Sequence, residues 1–150
     1  MSRADLFGGA LVILTPTDAT APHALKRVTE FWEAVGARVT ILDPVIHDRA
    51  VASISHLPHL VADALVDAVL RMDPHFLDVA AAGFRDTTRI AASNARVWRE
   101  IFQDNRAALG EALGAFRQAL DHLERLIETG DAAAVEHELD RIRAARARLG

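Results

Sequence analysis

The chain has 150 residues, 51% hydrophobic and 25% charged, with a net charge of −4, which suits one ordinary domain, or a small domain with an attached piece, and argues against disorder. No basic stripe offers a phosphate backbone a footprint, so nucleic acid is set aside as a partner. The chain has no cysteine, which removes disulfides, thiolate nucleophiles and cysteine-held metals; without a secretory signal or a membrane-length apolar run, the expected location is the cytoplasm, away from any membrane.

In chain order, Ala10 to Leu14 (ALVIL) is a continuous apolar run closed by Thr15 and Pro16, the pattern of a buried strand in a parallel sheet. Asp18 or Thr20 is placed to cap a helix whose first turn takes Pro22. Ala24, Val28, Phe31, Trp32 and Val35 keep its period until Gly36 stops it. Ala37 to Leu42 (ARVTIL) alternates as a second strand, so residues 1–43 predict a βαβ unit. Two parallel strands cannot bury both faces or satisfy their edges, so this unit is expected to be the end of a larger α/β domain.

From Pro44 onward strand signals vanish, and residues 44–150 read as helical. One helix is predicted from about Val45 towards Met72, disturbed at Pro58, which has no N–H for the carbonyl of residue 54. Asp73-Pro74 restarts the chain and a shorter helix follows. A long helix is then predicted from about Ala95 to Thr129, with Phe102, Leu109, Leu113, Phe116, Leu120, Leu123 and Ile127 along one seam. Gly130 ends it. Asp131 caps a final helix whose Val135, Leu139, Ile142 and Leu149 answer that seam, so the two are expected to form a hairpin.

Two stretches concentrate polar chemistry. The first, His47 to His59 (HDRAVASISHLPH), holds three of the seven histidines. His56 and His59 lie three apart with Asp63 at the next turn, so all three can converge on one pocket. A zinc site would need a third ligand that has no clear source, and core histidines bonded to backbone or to Asp63 suit the spacing better; no metal is assigned. On a straight helix His47, nine residues before His56, falls on the opposite side, so either the helix bends around Pro58 or the two serve different surfaces.

The second, Gly83 to Ala91 (GFRDTTRIA), sets Arg85, Asp86, Thr87, Thr88 and Arg89 among small and apolar neighbours. Spacing alone favours a structural ion pair between Asp86 and Arg89. A buried Arg89 needs a permanent anionic partner because guanidinium does not deprotonate, and the functional alternative is a substrate carboxylate gripped bidentately. Trp98, taken alone, is a core or interface residue. Ser53, Ser55 and Ser93 lack a nucleophile-elbow context, and Gly8-Gly9 precedes a strand rather than following one, so neither a serine hydrolase nor a phosphate loop is supported.

DLFGGALVILTP, FWEAVGARVTILDPVIHDRAVASISHLPHLVADAL and GFRDTTRIAASNARVW, in this order and spacing, resemble the prephenate dehydrogenase family of tyrosine biosynthesis. The three blocks span nearly all of Asp5 to Trp98. The resemblance implies a mainly α fold. An all-helical dimerisation domain of the 6-phosphogluconate-dehydrogenase-like type (44–150) would follow a short βαβ remnant of a Rossmann domain (1–43). It implies an oxidative decarboxylation of prephenate to 4-hydroxyphenylpyruvate. Hydride leaves the ring carbon bearing the hydroxyl, a histidine base takes the hydroxyl proton, and the ring carboxylate departs as carbon dioxide.

On this resemblance Arg89 matches the family arginine that binds a prephenate carboxylate, and Asp86 a supporting carboxylate. His47, His56 and His59 match pocket histidines, and Trp98 a tryptophan near them. GFRDTTRIA then becomes an anion-binding wall. The family often has glycines where Ala81-Ala82 stand, and an aspartate and proline at Asn94-Ala95. Its dinucleotide fingerprint and catalytic histidine have no counterpart here. No catalytic residue is therefore assigned, and NAD or NADP is expected to be held mainly by a missing N-terminal domain. The implied partners are prephenate or arogenate, a second copy in a homodimer, and a separate Rossmann segment. The competing expectation is a non-catalytic helical dimerisation or ligand-sensing module derived from that family.

Overall fold

The computed structural model describes residues 6–149. Strands β1 (Leu11–Leu14) and β2 (Arg38–Ile41) pair in parallel, Leu11 opposite Arg38 and Leu14 opposite Ile41. Helix α1 (Pro22–Ala34) crosses between them. Gly36 takes φ +88°, a left-handed conformation that reverses the chain into β2, and a side chain there would meet the Gly8 backbone at 3.4 Å. Neither Asp18 nor Thr20 caps α1. Ala21 is its N-cap, and the Thr20 hydroxyl instead accepts from the Thr17 N–H at 2.9 Å. Pro22 lowers the need for a cap, because it presets helical φ and removes one orphan donor.

Helix α2 (Pro44–Val51) starts at Asp43, whose Oδ1 accepts from the Val45 and Ile46 N–H groups at 2.8 and 3.2 Å. It runs without a break through a π turn, Ala52–His56, into α3 (Leu57–Met72). The Leu57 N–H reaches back to the Ala52 carbonyl, five residues away. The disturbance therefore precedes Pro58 and takes the form of a widened turn, which makes room for a proline ring that would crowd an ordinary α turn. Asp73 then caps a 3₁₀ segment, Pro74–Val79, by accepting from the His75 N–H at 2.9 Å. Helix α4 (Ala82–Thr88) passes directly into a 3₁₀ turn, Arg89–Ala92.

The single helix expected from Ala95 to Thr129 is two helices, α5 (Ala95–Asp104) and α6 (Arg106–Thr129), divided at Asn105. Asn105 sits at φ −109° and ψ 30°, and its amide nitrogen donates to the Asp48 carbonyl on α2 at 2.8 Å. A tertiary bond of this kind competes with helix continuation at a residue of modest helix propensity. Gly130, at φ +68°, ends α6. Asp131 caps α7 (Ala132–Arg146) by accepting from the Ala134 N–H at 3.0 Å. Helices α6 and α7 pack as the expected hairpin. His122 of α6 lies 3.6 Å from Glu138 of α7, which Arg141 also grips at 2.8 and 2.6 Å.

The buried apolar core is small-sided: Ala37, Ala52, Ala62, Leu109 and Ala112. Ala52, in the π turn, and Leu109 and Ala112, on α6, belong to the elements that meet where α6 approaches the α2–α3 rod. Further along the seam Leu120, Ile127 and Leu139 are each more than half exposed, as are Leu11, Phe31 and Ile41 of the βαβ unit. The chain of 16.3 kDa exposes 11636 Å², whereas a compact monomer of that mass exposes about 7,500 Å². Among the described residues no helix is long and apolar enough to cross a membrane.

Candidate functional site

Helices α3 and α5 bring three aromatic rings together. His59 is buried, and its ring lies flat on Trp98 with centroids 3.5 Å apart and planes 14° apart. Phe102, one turn beyond Trp98, closes the group at 5.5 Å from Trp98 and 6.3 Å from His59. Trp98 is aimed by the start of α5. Asn94 caps that helix, its Oδ1 accepting from the Arg96 and Val97 N–H groups at 2.9 and 3.3 Å. Asn94 thus serves as a helix cap where the family often has aspartate. The aromatic group forms one wall of an open cavity of about 480 Å³, completed by Asp63 of α3, Ala91 and Ser93, and Arg99 and Gln103 of α5.

Asp63 Oδ2 is 3.9 Å from His59 Nε2, outside hydrogen-bond reach. His56, His59 and Asp63 converge in part: both histidines approach Trp98, and Asp63 lines the cavity with His59. The His56 ring stands at 83° to Trp98 with centroids 6.3 Å apart. Its Nδ1 lies 3.3 Å from the Asn105 amide nitrogen. Among the described residues no group of three His, Cys, Asp or Glu side chains is arranged to hold a metal ion.

His47 is not on the far side of the rod. The extra residue of the π turn slips the helical phase by roughly 100°, so the predicted opposition of His47 and His56 is reduced by about half. His47 Nδ1 contacts Asp48 Oδ1 at 3.0 Å. Burial holds the His56 imidazole below the ordinary histidine range, Asp48 opposes that shift, and the neighbouring His47 adds to it.

Arg89 and Asp86 are both exposed, and the ion pair favoured by spacing is not formed. The reason is local: α4 ends at Thr88 and the chain tightens into the 3₁₀ turn, which spoils an α-helical side-chain register. Thr87 and Thr88 turn their hydroxyls back onto the Gly83 and Phe84 carbonyls, each at 2.8 Å, and so serve their own helix. The Arg89–Ala92 turn packs against α3, and its Ala91 lines the cavity. Among the described residues the Arg89 guanidinium has no carboxylate partner. The structure thus groups His56, His59 and Trp98, brings His47 near enough to His56 to act on its charge, and leaves Asp86 and Arg89 exposed on the adjoining segment; of these six, His59 and Trp98 line the cavity.

Phe102, Arg99 and Gln103 as cavity walls and Asn105 as a hydrogen-bond hub are not legible from spacing. By its periodicity Phe102 belongs to the helix seam. Asn105 left one readable signal, an asparagine of poor helix propensity in the middle of a predicted helix.

A family model described as prephenate dehydrogenase, dimerization domain, matches residues 43–141. The chain belongs to the prephenate dehydrogenase family. A second model, the nucleotide-binding domain of prephenate dehydrogenase, matches residues 1–41. Among curated relatives, a cyclohexadienyl dehydrogenase of Zymomonas mobilis is 35% identical over 132 residues, covering 85% of this chain and 45% of that protein. The crystal structure of Aquifex aeolicus prephenate dehydrogenase in complex with hydroxyphenyl propionate and NAD+ is similar with a TM-score of 0.92 and 37% identity, over 97% of this chain and 52% of that one. Arogenate dehydrogenase of Synechocystis gives a TM-score of 0.88 and 33% identity, over 97% of this chain and 54% of that one. The chain therefore spans less than half of that curated relative and about half of each solved chain.

Proposed function

We propose that this chain forms the substrate-binding and dimerisation part of a prephenate or arogenate dehydrogenase, and that it does not catalyse alone. The observation that carries the proposal is the His59–Trp98 stack at 3.5 Å, beside a segment whose Arg89 guanidinium has no carboxylate partner among the described residues. A flat aromatic wall suits a six-membered unsaturated ring, and an unpaired guanidinium suits a carboxylate on it. His47 and His56 supply polar contacts to the substrate's oxygens, and Asp86, three residues before Arg89, is the supporting carboxylate that the family resemblance implies. In this division residues 44–150 bind substrate and pair with a second copy, while residues 1–43 dock a nucleotide-binding segment.

Homodimerisation is supported by the open apolar faces at Leu120, Ile127 and Leu139 and by the large exposed area of the single chain. For NAD or NADP the described residues do not fit: Gly8-Gly9 lies before β1, and no glycine-rich turn follows either strand. We therefore assign the nucleotide mainly to Rossmann residues outside this sequence.

The test is to mix this chain with the nucleotide-binding segment of a family member, prephenate or arogenate, and NAD or NADP. Reduced-nicotinamide absorbance should grow in the mixture and stay flat with this chain alone. A folded mixed complex that binds both ligands without turnover would instead support a ligand-sensing module.

A further inference from the structure

The helix break at Asn105 joins two segments distant in sequence. Its Nδ2 lies 2.8 Å from the Asp48 carbonyl oxygen and 3.3 Å from His56 Nδ1. A carbonyl oxygen only accepts, so the amide must turn its NH₂ group toward Asp48. The second hydrogen of that nitrogen is then the one facing His56. For a bond to exist there, His56 Nδ1 must carry a lone pair, which places the ring proton on Nε2. Asp48 also acts through its side chain, contacting His47 Nδ1 at 3.0 Å. A carboxylate accepts, so it holds the His47 proton on Nδ1 and leaves Nε2 of the neutral ring free to accept.

We propose that Asn105 is a positioning residue that fixes His56 in its Nε2–H form, so that His56 meets the substrate as a hydrogen-bond donor while neighbouring His47, set by Asp48, presents an acceptor. The substrate half of this proposal rests on the pocket reading above; the tautomer half stands on the three distances alone. An Nε2–H donor suits a carboxylate or carbonyl oxygen, and an Nε2 lone pair suits a hydroxyl hydrogen. The pair can thus read both polarities of a hydroxylated ring acid. The downward displacement of His56 by burial agrees with a neutral ring, since an imidazolium would set two donors against each other at Nδ1. The charged neighbours that act on His56 are Asp48 and His47, both from α2.

The test is long-range ¹H–¹⁵N NMR of the histidine rings in the full chain near neutral pH, for the native sequence and for Asn105→Asp. The native chain should show His56 protonated at Nε2 and bare at Nδ1, and His47 the reverse. In Asn105→Asp the new carboxylate accepts where the amide donated, so the His56 proton should move to Nδ1. Prephenate affinity should weaken roughly tenfold, the worth of about one hydrogen bond. A native His56 with its proton on Nδ1 overturns the proposal whether or not the variant folds. A folded Asn105→Asp that keeps the Nε2–H form overturns the role of Asn105 alone. If the tautomers are as stated but the native chain does not bind prephenate, the substrate half falls together with the pocket reading.

Discussion

His59 and Trp98, on separate helices, lie face to face at 3.5 Å with only 14° between their planes. Because His59 is buried and Trp98 covers it, the stack both fastens α5 to α3 and furnishes the cavity wall. Trp98→Ala should therefore cost about 2–4 kcal/mol of stability in denaturant unfolding, below the upper range for tryptophan truncation because Trp98 is half-buried. Trp98→Phe should recover part of that loss. An unchanged midpoint for Trp98→Ala would show that the contact fastens nothing.

Arg89 has the opposite profile. Exposed and without a carboxylate partner among the described residues, it gives the fold little to lose. Arg89→Ala should shift stability by no more than about 0.5 kcal/mol, yet weaken prephenate binding roughly ten- to a hundredfold through loss of a charge-assisted bond. A structural role would reverse the two results, with a lowered melting temperature and unaltered affinity.

The part-buried His56 makes stability depend on acidity. Its folded-state affinity for protons lies below that of the unfolded chain, whose histidine value is 6.5. The unfolded state thus binds more protons in the window below that value, and stability falls as pH drops through it. His56 contributes its full share above pH 6.5 and loses it on acidification towards its lower folded pKa. Thermal melts between pH 8 and pH 5 should decline in that window, and His56→Gln should have a shallower decline. Parallel curves for the two proteins would contradict the assignment.

Ile127 and Leu139 are exposed on the α6–α7 hairpin, at 70% and 53%. If a second copy covers them, the native chain should run as a dimer in light scattering at micromolar concentration. A charge placed in that apolar contact, Ile127→Glu, should drive it towards monomer. A native monomer would remove the dimer from the account.

Local periodicity made the βαβ unit, the α6–α7 hairpin, the Pro22 start of α1, the Gly130 stop and the Asp131 cap readable, because strand alternation and helix termination are decided within a few residues, whereas the cap of α1 is Ala21 and not Asp18 or Thr20. The division of the long helix was not readable in that way, since Asn105 answers to a carbonyl 57 residues earlier. The π turn before Pro58 likewise converts an apparent opposition of His47 and His56 into neighbourhood, through a change of helical phase that a fixed 3.6-residue period does not contain. Spacing offered Asp86 to Arg89 as a partner, but the chain leaves α-helical geometry between them. The six site residues are legible in the sequence only through the family resemblance. The His59–Trp98 stack and the Phe102 wall come only with the fold.

If this chain itself binds the substrate, titration calorimetry of the native chain with prephenate and with arogenate will show it, with Arg89→Ala and Trp98→Ala as comparisons. One of these acids should bind saturably at one site per chain, strongly weakened in both variants while Arg89→Ala keeps its native melting temperature. No binding by the folded native chain, or binding that neither variant weakens, would contradict the proposed binding role.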